Sequence, residues 1–358
     1  MIKTMKIRIG NKDVGFNCPV YFIADIAANH DGDLSRAKDL IHMAAEAGAD
    51  AAKFQHFKAD TIVSDYGFKS LDIQKSHQEN WEKSVFEVYQ DVSLDPEWTP
   101  VLKETCEKAG MEFMTSPYSI ELVNKLDPYL KAYKVGSGDI TYFEILEQIA
   151  KKMKPVILGT GASLLEEIKK AVKVITKYNR ELILMQCNTN YTASTENFKH
   201  VNLSALKTFA EVFPGTVLGL SDHTPGHSAV LGAVALGAKV VEKHFTDDRN
   251  KTGPDHKFSM MPADWKEMVE RCRELEDAIG DGVKRIEDNE KETVVIQRRA
   301  LRAKFDLSVG SVLHKDNLVA LRPCPHDGLP PYMIDKILGK SLLREIKAGE
   351  HILLSYLK

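Results

Sequence analysis

The chain has 358 residues, 43% of them hydrophobic and 28% charged, with a net charge of −3. That length exceeds one small domain and suits a barrel with an appendage, and the near-neutral charge supplies no basic field for nucleic acid or anionic lipid. No run reaches the roughly 18–20 consecutive apolar residues that span a bilayer, and the lysine-bearing start from Met1 to Phe16 has no apolar core followed by a small-residue cleavage site. A cytoplasmic protein without nucleic-acid or membrane partners is expected. The five cysteines (Cys18, Cys106, Cys187, Cys272 and Cys324) are scattered, which reads as reduced thiols rather than a disulfide framework.

In chain order, eight apolar, β-branched runs are predicted strands: Val20–Ala28, Ala51–Phe57, Glu112–Pro117, Ala132–Gly138, Pro155–Thr160, Leu182–Asn188, Thr216–Asp222 and Val240–Phe245. Most are near-continuous rather than alternating, as parallel strands covered on both faces require. Between them run segments of helical period. Leu34–Ala49 places Leu34, Ala37, Leu40, Ile41, Ala44 and Ala45 on one stripe and stops at Gly48. Ser163 and Glu166 have capping-box spacing before a helix towards Tyr178. Gly226–Gly237 is small and apolar. Strands alternating with helices over about 260 residues predict an α/β fold, the (β/α)8 TIM barrel. One connection, Lys58–Leu94, is long and carries Tyr66, Phe68, Trp81 and Phe86, as a lid or substrate-contact loop would.

The pattern changes near residue 282. The expected division is a catalytic barrel over 1–282, a charged linker over 283–295 and a small β-rich module over 296–358. That module shows short apolar runs at Ala300–Phe305, Ser311–Leu313, Leu318–Leu321 and His351–Leu354. A core of about 60 residues is marginal alone and gains from docking.

Barrel active sites lie at the carboxyl ends of the strands, and every predicted strand is polar there. The series runs Asp25 with Asn29 and His30, Lys53 with Gln55, Thr115 with Ser116, and Lys134 with Ser137 and Asp139. It continues with Thr160, Gln186 to Asn188, Ser221 to His223, and Glu242 to His244. Lys53 and Lys134 sit inside apolar strands, where an unpaired ammonium is expensive. A salt bridge, an anion-binding pair and a Schiff-base amine are the readings, and the nearby hydroxyl donors favour the anion. His223 and His244 lie about one αβ unit apart, so they end adjacent strands. They are either shared ligands of a divalent ion or separate hydrogen-bonded residues. Two protein ligands leave positions open to water and substrate, which suits a catalytic ion. Cys187 is a further candidate ligand, set against an inert buried thiol. The Gly253-Pro-Asp-His256 turn either brings Asp255 back over the mouth or belongs to a solvated charged loop.

These motifs resemble the sialic acid synthase family, which makes N-acetylneuraminate, legionaminate and pseudaminate. The resemblance is carried by Ile23–Gly32, Gly48–Gln55, Lys134–Asp139, Leu220–Gly226, Glu242–Thr246, the turn ending at His256, and Arg322-Pro323. It covers nearly the whole chain and identifies the tail with the family's antifreeze-like (SAF) domain. It implies a metal-dependent transferase that condenses phosphoenolpyruvate with an amino-sugar aldose such as N-acetylmannosamine, with C–O cleavage and release of phosphate. By the same resemblance His223 and His244 bind manganese or magnesium, and Lys53, Lys134, Ser137, Thr115 and Ser221 grip phosphoenolpyruvate. Gln55, Tyr191 and Asp255 face the acceptor, with Asp139 and Thr160 among the substrate-binding residues. Asp25 or Asp255 manages protons. Arg322 arrives from the partner of a homodimer to contact the acceptor's acyl group.

The chain departs from the family pattern at Asp25 and Asp139, where Glu is common, at Gly159, where Ser is frequent, and at Thr192 in place of Pro. The shortened acids suggest a pocket adjusted for another acceptor. Phe54-Gln-His-Phe57 leans towards the N-acetylneuraminate and legionaminate branch. The rival readings are a 3-deoxy-ulosonate-phosphate synthase acting on a sugar phosphate, a Schiff-base aldolase, and a non-enzymatic carbohydrate- or ice-binding protein.

Overall fold

A short antiparallel hairpin of β1 (Ile7–Ile9) and β2 (Lys12–Val14) begins the computed structural model, which describes residues 6–71, 81 and 83–358. Eight parallel strands follow: β3 (Tyr21–Asp25), β4 (Ala51–His56), β5 (Glu112–Pro117), β6 (Tyr133–Val135), β7 (Val156–Gly159), β8 (Leu182–Cys187), β9 (Val217–Asp222) and β10 (Val240–His244). They pair in the order β5-β4-β3-β10-β9-β8-β7-β6, and β5 lies alongside β6, so the ring is nearly closed. Each expected strand is present, with ends trimmed by a few residues where the chain leaves the ladder.

Both faces of these strands are buried, which explains the continuous apolar runs. Phe22, Ala24, Phe54, Phe113, Leu158, Leu184, Leu220 and Val241 face outward into the layer between sheet and helices. The intervening Tyr21, Ile23, Ala51, Met114, Ala132, Ile157, Ile183, Val217 and Val240 face inward and pack with Ile7, Ile9 and Val14 of the hairpin. That interior cluster uses the amino halves of the strands, so the hairpin closes the amino end and leaves the carboxyl end for polar groups.

Helix Leu34–Glu46 shows how the outer layer forms. Asp33 caps it by accepting from the N–H groups of Ser35 and Arg36, and it buries Ala37, Leu40, Ile41 and Ala44. Gly48, with φ of +90°, ends it as its position predicted. Burial of Leu40 and Ile41 contributes about 1.5–3 kcal/mol each, which a charge at either position would forfeit. The capping box expected at Ser163 and Glu166 does not form: Glu167 accepts from the Leu164 N–H, which is half of such a box one residue later, and the Ser163 hydroxyl is spent on the Gly161 carbonyl. The long connection after β4 holds short helices Ala59–Ile62, Asp65–Lys69 and Val85–Asp91. Its residues 72–80 and 82 lie outside the described residues.

The chain divides into compact units of residues 1–280 and 281–358. In the second, β11 (Ala300–Ala303) pairs antiparallel with β12 (Leu318–Leu321). Around them Leu301, Leu307, Leu313, Ile337, Leu342, Ile346 and Ile352 form a core. The runs Ser311–Leu313 and His351–Leu354 contribute single bridges rather than strands, Val312 with Ser341 and His351 with Arg302. A helix, Lys291–Gln297, begins within the expected linker and runs past its end. No helix among the described residues is long and apolar enough to cross a membrane.

Candidate active site

Alternation along the strands decides what faces the lumen above its apolar half. Two residues beyond Ile23 comes Asp25; beyond Ala51, Lys53; beyond Met114, Ser116; beyond Ala132, Lys134; beyond Val240, Glu242 and then His244. Register sets several of these side by side: His244 is the Cα partner of Asp25, Asp25 of Lys53, and Glu242 of Ser221.

The centre is a buried charge network. Lys53 Nζ lies 2.6 Å from Asp25 Oδ2 and 3.6 Å from Glu242 Oε1, and Lys134 Nζ lies 3.3 Å from the same Glu242 oxygen. Burial alone would lower the Lys53 ammonium, but Asp25 and Glu242 outweigh it and raise its pKa. Gln55 Nε2 donates to Asp25 at 3.3 Å, and the Ala27 N–H donates to Asp25 Oδ1 at 3.1 Å. Glu242 joins the two lysines, and its Oε2 is buried without a hydrogen-bond partner. Its alternation with His244 marked it as inward-facing, yet the sequence reading gave it no role.

Ser137, on the turn after β6, accepts from the Gly161 N–H at 2.9 Å. Both Ser137 and Ser221 meet the buried Cys187 thiol, whose pKa is raised by burial. A Cβ at Gly159 would sit 2.8 Å from the Ser137 hydroxyl, so the missing side chain there gives Ser137 its room. Thr115 and Thr160 do not join this group. Thr115 is the register partner of Phe54 and turns outward with it, donating to the Phe54 carbonyl at 3.0 Å and meeting His56 Nδ1 at 2.8 Å. Ser116, its neighbour, is the residue on the inward face, and its hydroxyl is buried and unpartnered. Thr160 spends its hydroxyl on the Met185 carbonyl at 2.8 Å.

His223 and His244 face each other with ring centroids 5.5 Å apart, and the Tyr191 ring lies 4.4 Å from that of His223. Phe258 closes over both histidines. Burial lowers the pKa of both histidines, helped at His244 by His223 and Lys53, so the rings are neutral and carry lone pairs. His223 Nδ1 meets the Asn188 carbonyl at 2.9 Å and therefore carries the hydrogen, leaving Nε2 as the acceptor. His244 Nδ1 is buried without a partner. Neutral imidazoles with uncommitted nitrogens fit a divalent cation. Among the described residues no group of three or more His, Cys, Asp and Glu side chains is placed for a metal ion.

Two carboxyls rim the mouth. Burial, helped by Asp25, pushes Asp255 up to about 7, against the Ala28 N–H and Lys53. Burial pushes Asp139 up to about 6, opposed by Lys134. Tyr89, from the connection after β4, packs on Phe57 at 5.2 Å, and Tyr118 packs on Phe57 at 6.0 Å. These rings complete an aromatic wall beside Asp139 and Asp255 that no sequence motif announced. Arg322 is exposed in the second unit, on the segment after β12.

Residues 40–284 match the NeuB family, and residues 298–358 match the SAF domain. The N,N'-diacetyllegionaminic acid synthase of Campylobacter jejuni is 37% identical over 92% of this chain and 98% of that protein. The N,N'-diacetyllegionaminic acid synthase of Legionella pneumophila is 36% identical over 98% of each chain. A crystal structure of N-acetylneuraminic acid (sialic acid) synthetase from Leptospira borgpetersenii has a TM-score of 0.71 at 29% identity, covering 81% of this chain and 95% of that one. With the barrel, the polar lumen and the tail each accounted for, the chain belongs to the NeuB family and carries a SAF domain.

Proposed function

We propose that the protein is a nonulosonic acid synthase that condenses phosphoenolpyruvate with an unphosphorylated amino-sugar aldose of the N-acetylmannosamine kind and releases phosphate. One observation carries the reading: two buried ammonium groups, Lys53 and Lys134, converge on Glu242 beside a neutral histidine pair. That is a receptor for a small substrate with two anionic groups next to a carbonyl-activating site. Whole-length similarity to legionaminic acid synthases supports it.

In this reading Lys53 and Lys134 neutralise the phosphate and carboxylate of phosphoenolpyruvate, and Ser116, Ser137 and Ser221 orient them. His223 and His244 would hold manganese or magnesium, which when bound stabilises negative charge on the aldehyde oxygen. Gln55, Tyr191 and Asp139 face the acceptor, and the Tyr89 and Tyr118 wall keeps water off the reacting faces. Asp255, poised near 7, carries the protons. It takes one from the water that adds at the former enol carbon once the methylene carbon has joined the aldehyde carbon. It returns that proton to the departing phosphate as the C–O bond breaks and the keto group forms, and the second proton of the added water ends on the aldehyde-derived oxygen, which becomes the new hydroxyl. Asp25 is held by Lys53, Gln55 and a backbone N–H, which suits a fixed counter-charge. Arg322 is assigned to the acyl group of the acceptor bound by the partner of a homodimer.

The test is turnover of phosphoenolpyruvate carrying heavy oxygen at its bridging position, with manganese and either N-acetylmannosamine or a diacetamido hexose. Label recovered in the released phosphate supports condensation with C–O cleavage. Label retained on the carbon product, or no aldose-dependent release, overturns it.

A further inference from the structure

Asp255 reaches the mouth from a loop that folds back after β10, and three contacts tie that loop to the one leaving β3, with a fourth from Arg36 of the helix that follows. The Ala28 N–H donates to Asp255 Oδ2 at 3.1 Å. His256 Nε2 lies 2.9 Å from Asp31 Oδ1, and its Nδ1 lies 2.8 Å from Thr246 Oγ1. Asn29 Nδ2 donates to Ser259 Oγ at 2.9 Å, and that hydroxyl donates to the Asp255 carbonyl at 2.6 Å. Arg36 makes a two-pronged contact with Asp247, at 2.9 and 2.5 Å, and an ion pair with Asp31 at 3.0 Å.

The first loop is held in conformations that L-residues rarely adopt, with φ of +45° at Ala27 and +52° at Asp31. Such backbone persists where surrounding contacts over-determine it, and it clusters at working sites. His256 is fully buried. A Cβ on Gly253 would lie 2.7 Å from its Cδ2, so the turn is built around this ring. A carboxylate only accepts hydrogen bonds, so His256 Nε2 carries the hydrogen it gives to Asp31.

We propose that His256 and Asp31 are positioning residues: their contact braces the two loops together and fixes the Asp255 carboxyl against the Ala28 N–H. The inference rests on the synthase reading for what Asp255 does, but not for where it is held. Neither residue touches the reacting atoms. Each acts through Asp255, whose charged neighbours there are Asp25 and Lys53, with the Tyr89 and Tyr191 phenols also within electrostatic reach.

The test uses the full-length protein as His256→Ala, His256→Gln, Asp31→Asn and Asp255→Asn variants, with the doubles. Carboxyl titration is followed by NMR on labelled aspartate, and turnover of phosphoenolpyruvate with N-acetylmannosamine or a diacetamido hexose is followed with manganese. Wild type should show a carboxyl titrating at about 7 that Asp255→Asn removes. Asp31→Asn and His256→Ala should shift it towards the ordinary range, and His256→Gln, which keeps a donor for Asp31, should shift it less. For turnover, kcat per folded molecule should fall about 10–100-fold with KM for phosphoenolpyruvate unchanged. In the Asp255→Asn background the same changes should add no further loss. An unmoved titration, or losses that multiply in that background, overturns the brace. Absence of turnover in wild type overturns the synthase reading instead, while the titration still decides the brace.

Discussion

Lys243 and Asp222 are neighbours in register on β10 and β9, on the face turned away from the lumen. Their side chains are 1% and 2% exposed, with Lys243 Nζ 2.5 Å from Asp222 Oδ2 and 2.7 Å from the Thr224 carbonyl. Asp222 also accepts from the N–H and hydroxyl of Thr224. Lys243→Met keeps most of the volume and removes the charge, stranding a buried carboxylate. Breaking a buried pair from one side costs about 3–5 kcal/mol. At about 2.1 cal/mol/K of unfolding entropy per residue, the compact unit of residues 1–280 should lose about 5–9 °C of melting temperature. Adding Asp222→Asn removes the stranded charge but keeps the bonds to Thr224, so most of the loss should return. Thermal unfolding by circular dichroism reads both steps, and kcat per folded molecule at low temperature should stay near wild type. A single variant within about 1 kcal/mol of wild type, or a double no better than the single, would refute the assignment of Lys243 to stability.

Thr115→Val should cost stability of about 1–2 kcal/mol with kinetics intact, whereas Ser116→Ala should raise KM for phosphoenolpyruvate with little change in melting temperature; the reverse pattern would overturn the register. Lys53→Met should abolish turnover and also destabilise, since Asp25 loses its 2.6 Å partner. Unfolding measured beside activity separates the two effects. Burial, with smaller electrostatic contributions, lowers His30 and His56 to about 4, against about 6.5 in an unfolded chain. The unfolded chain therefore binds protons that the fold refuses. Their stabilisation is complete above about pH 6.5 and is lost as pH falls towards 4, on the order of 3 kcal/mol per residue. Melting temperature followed over that window should fall steeply, and less steeply in His56→Gln.

The barrel was legible because strands buried on both faces leave unbroken apolar runs, and because polar residues gather where those runs end. The same double burial hid which of two adjacent polar residues enters the lumen. Thr115 and Ser116 are equally plausible by composition, and only the pairing of Thr115 with Phe54 turns Ser116 inward. The same holds for Lys243, which lies between Glu242 and His244 in the polar end of its strand. Counting in twos from Met114 or His244 is the signal that separates them. Tyr89 arrives through packing of the connection after β4, and the contact of His256 with Asp31 spans 225 residues, so neither leaves a local pattern. The family resemblance supplied roles that spacing alone left open; on β5 it named Thr115, whose hydroxyl the fold turns outward to the Phe54 carbonyl.

The most direct measurement of the central claim is phosphate release from phosphoenolpyruvate across a panel of acceptors, with EDTA and then with added manganese. The panel holds N-acetylmannosamine, mannose, diacetamido hexoses and several sugar phosphates. Condensation on the Lys53–Lys134 site predicts release with one unphosphorylated amino-sugar aldose, abolished by EDTA and restored by manganese. Release only with a sugar phosphate, or release indifferent to chelation, would contradict it.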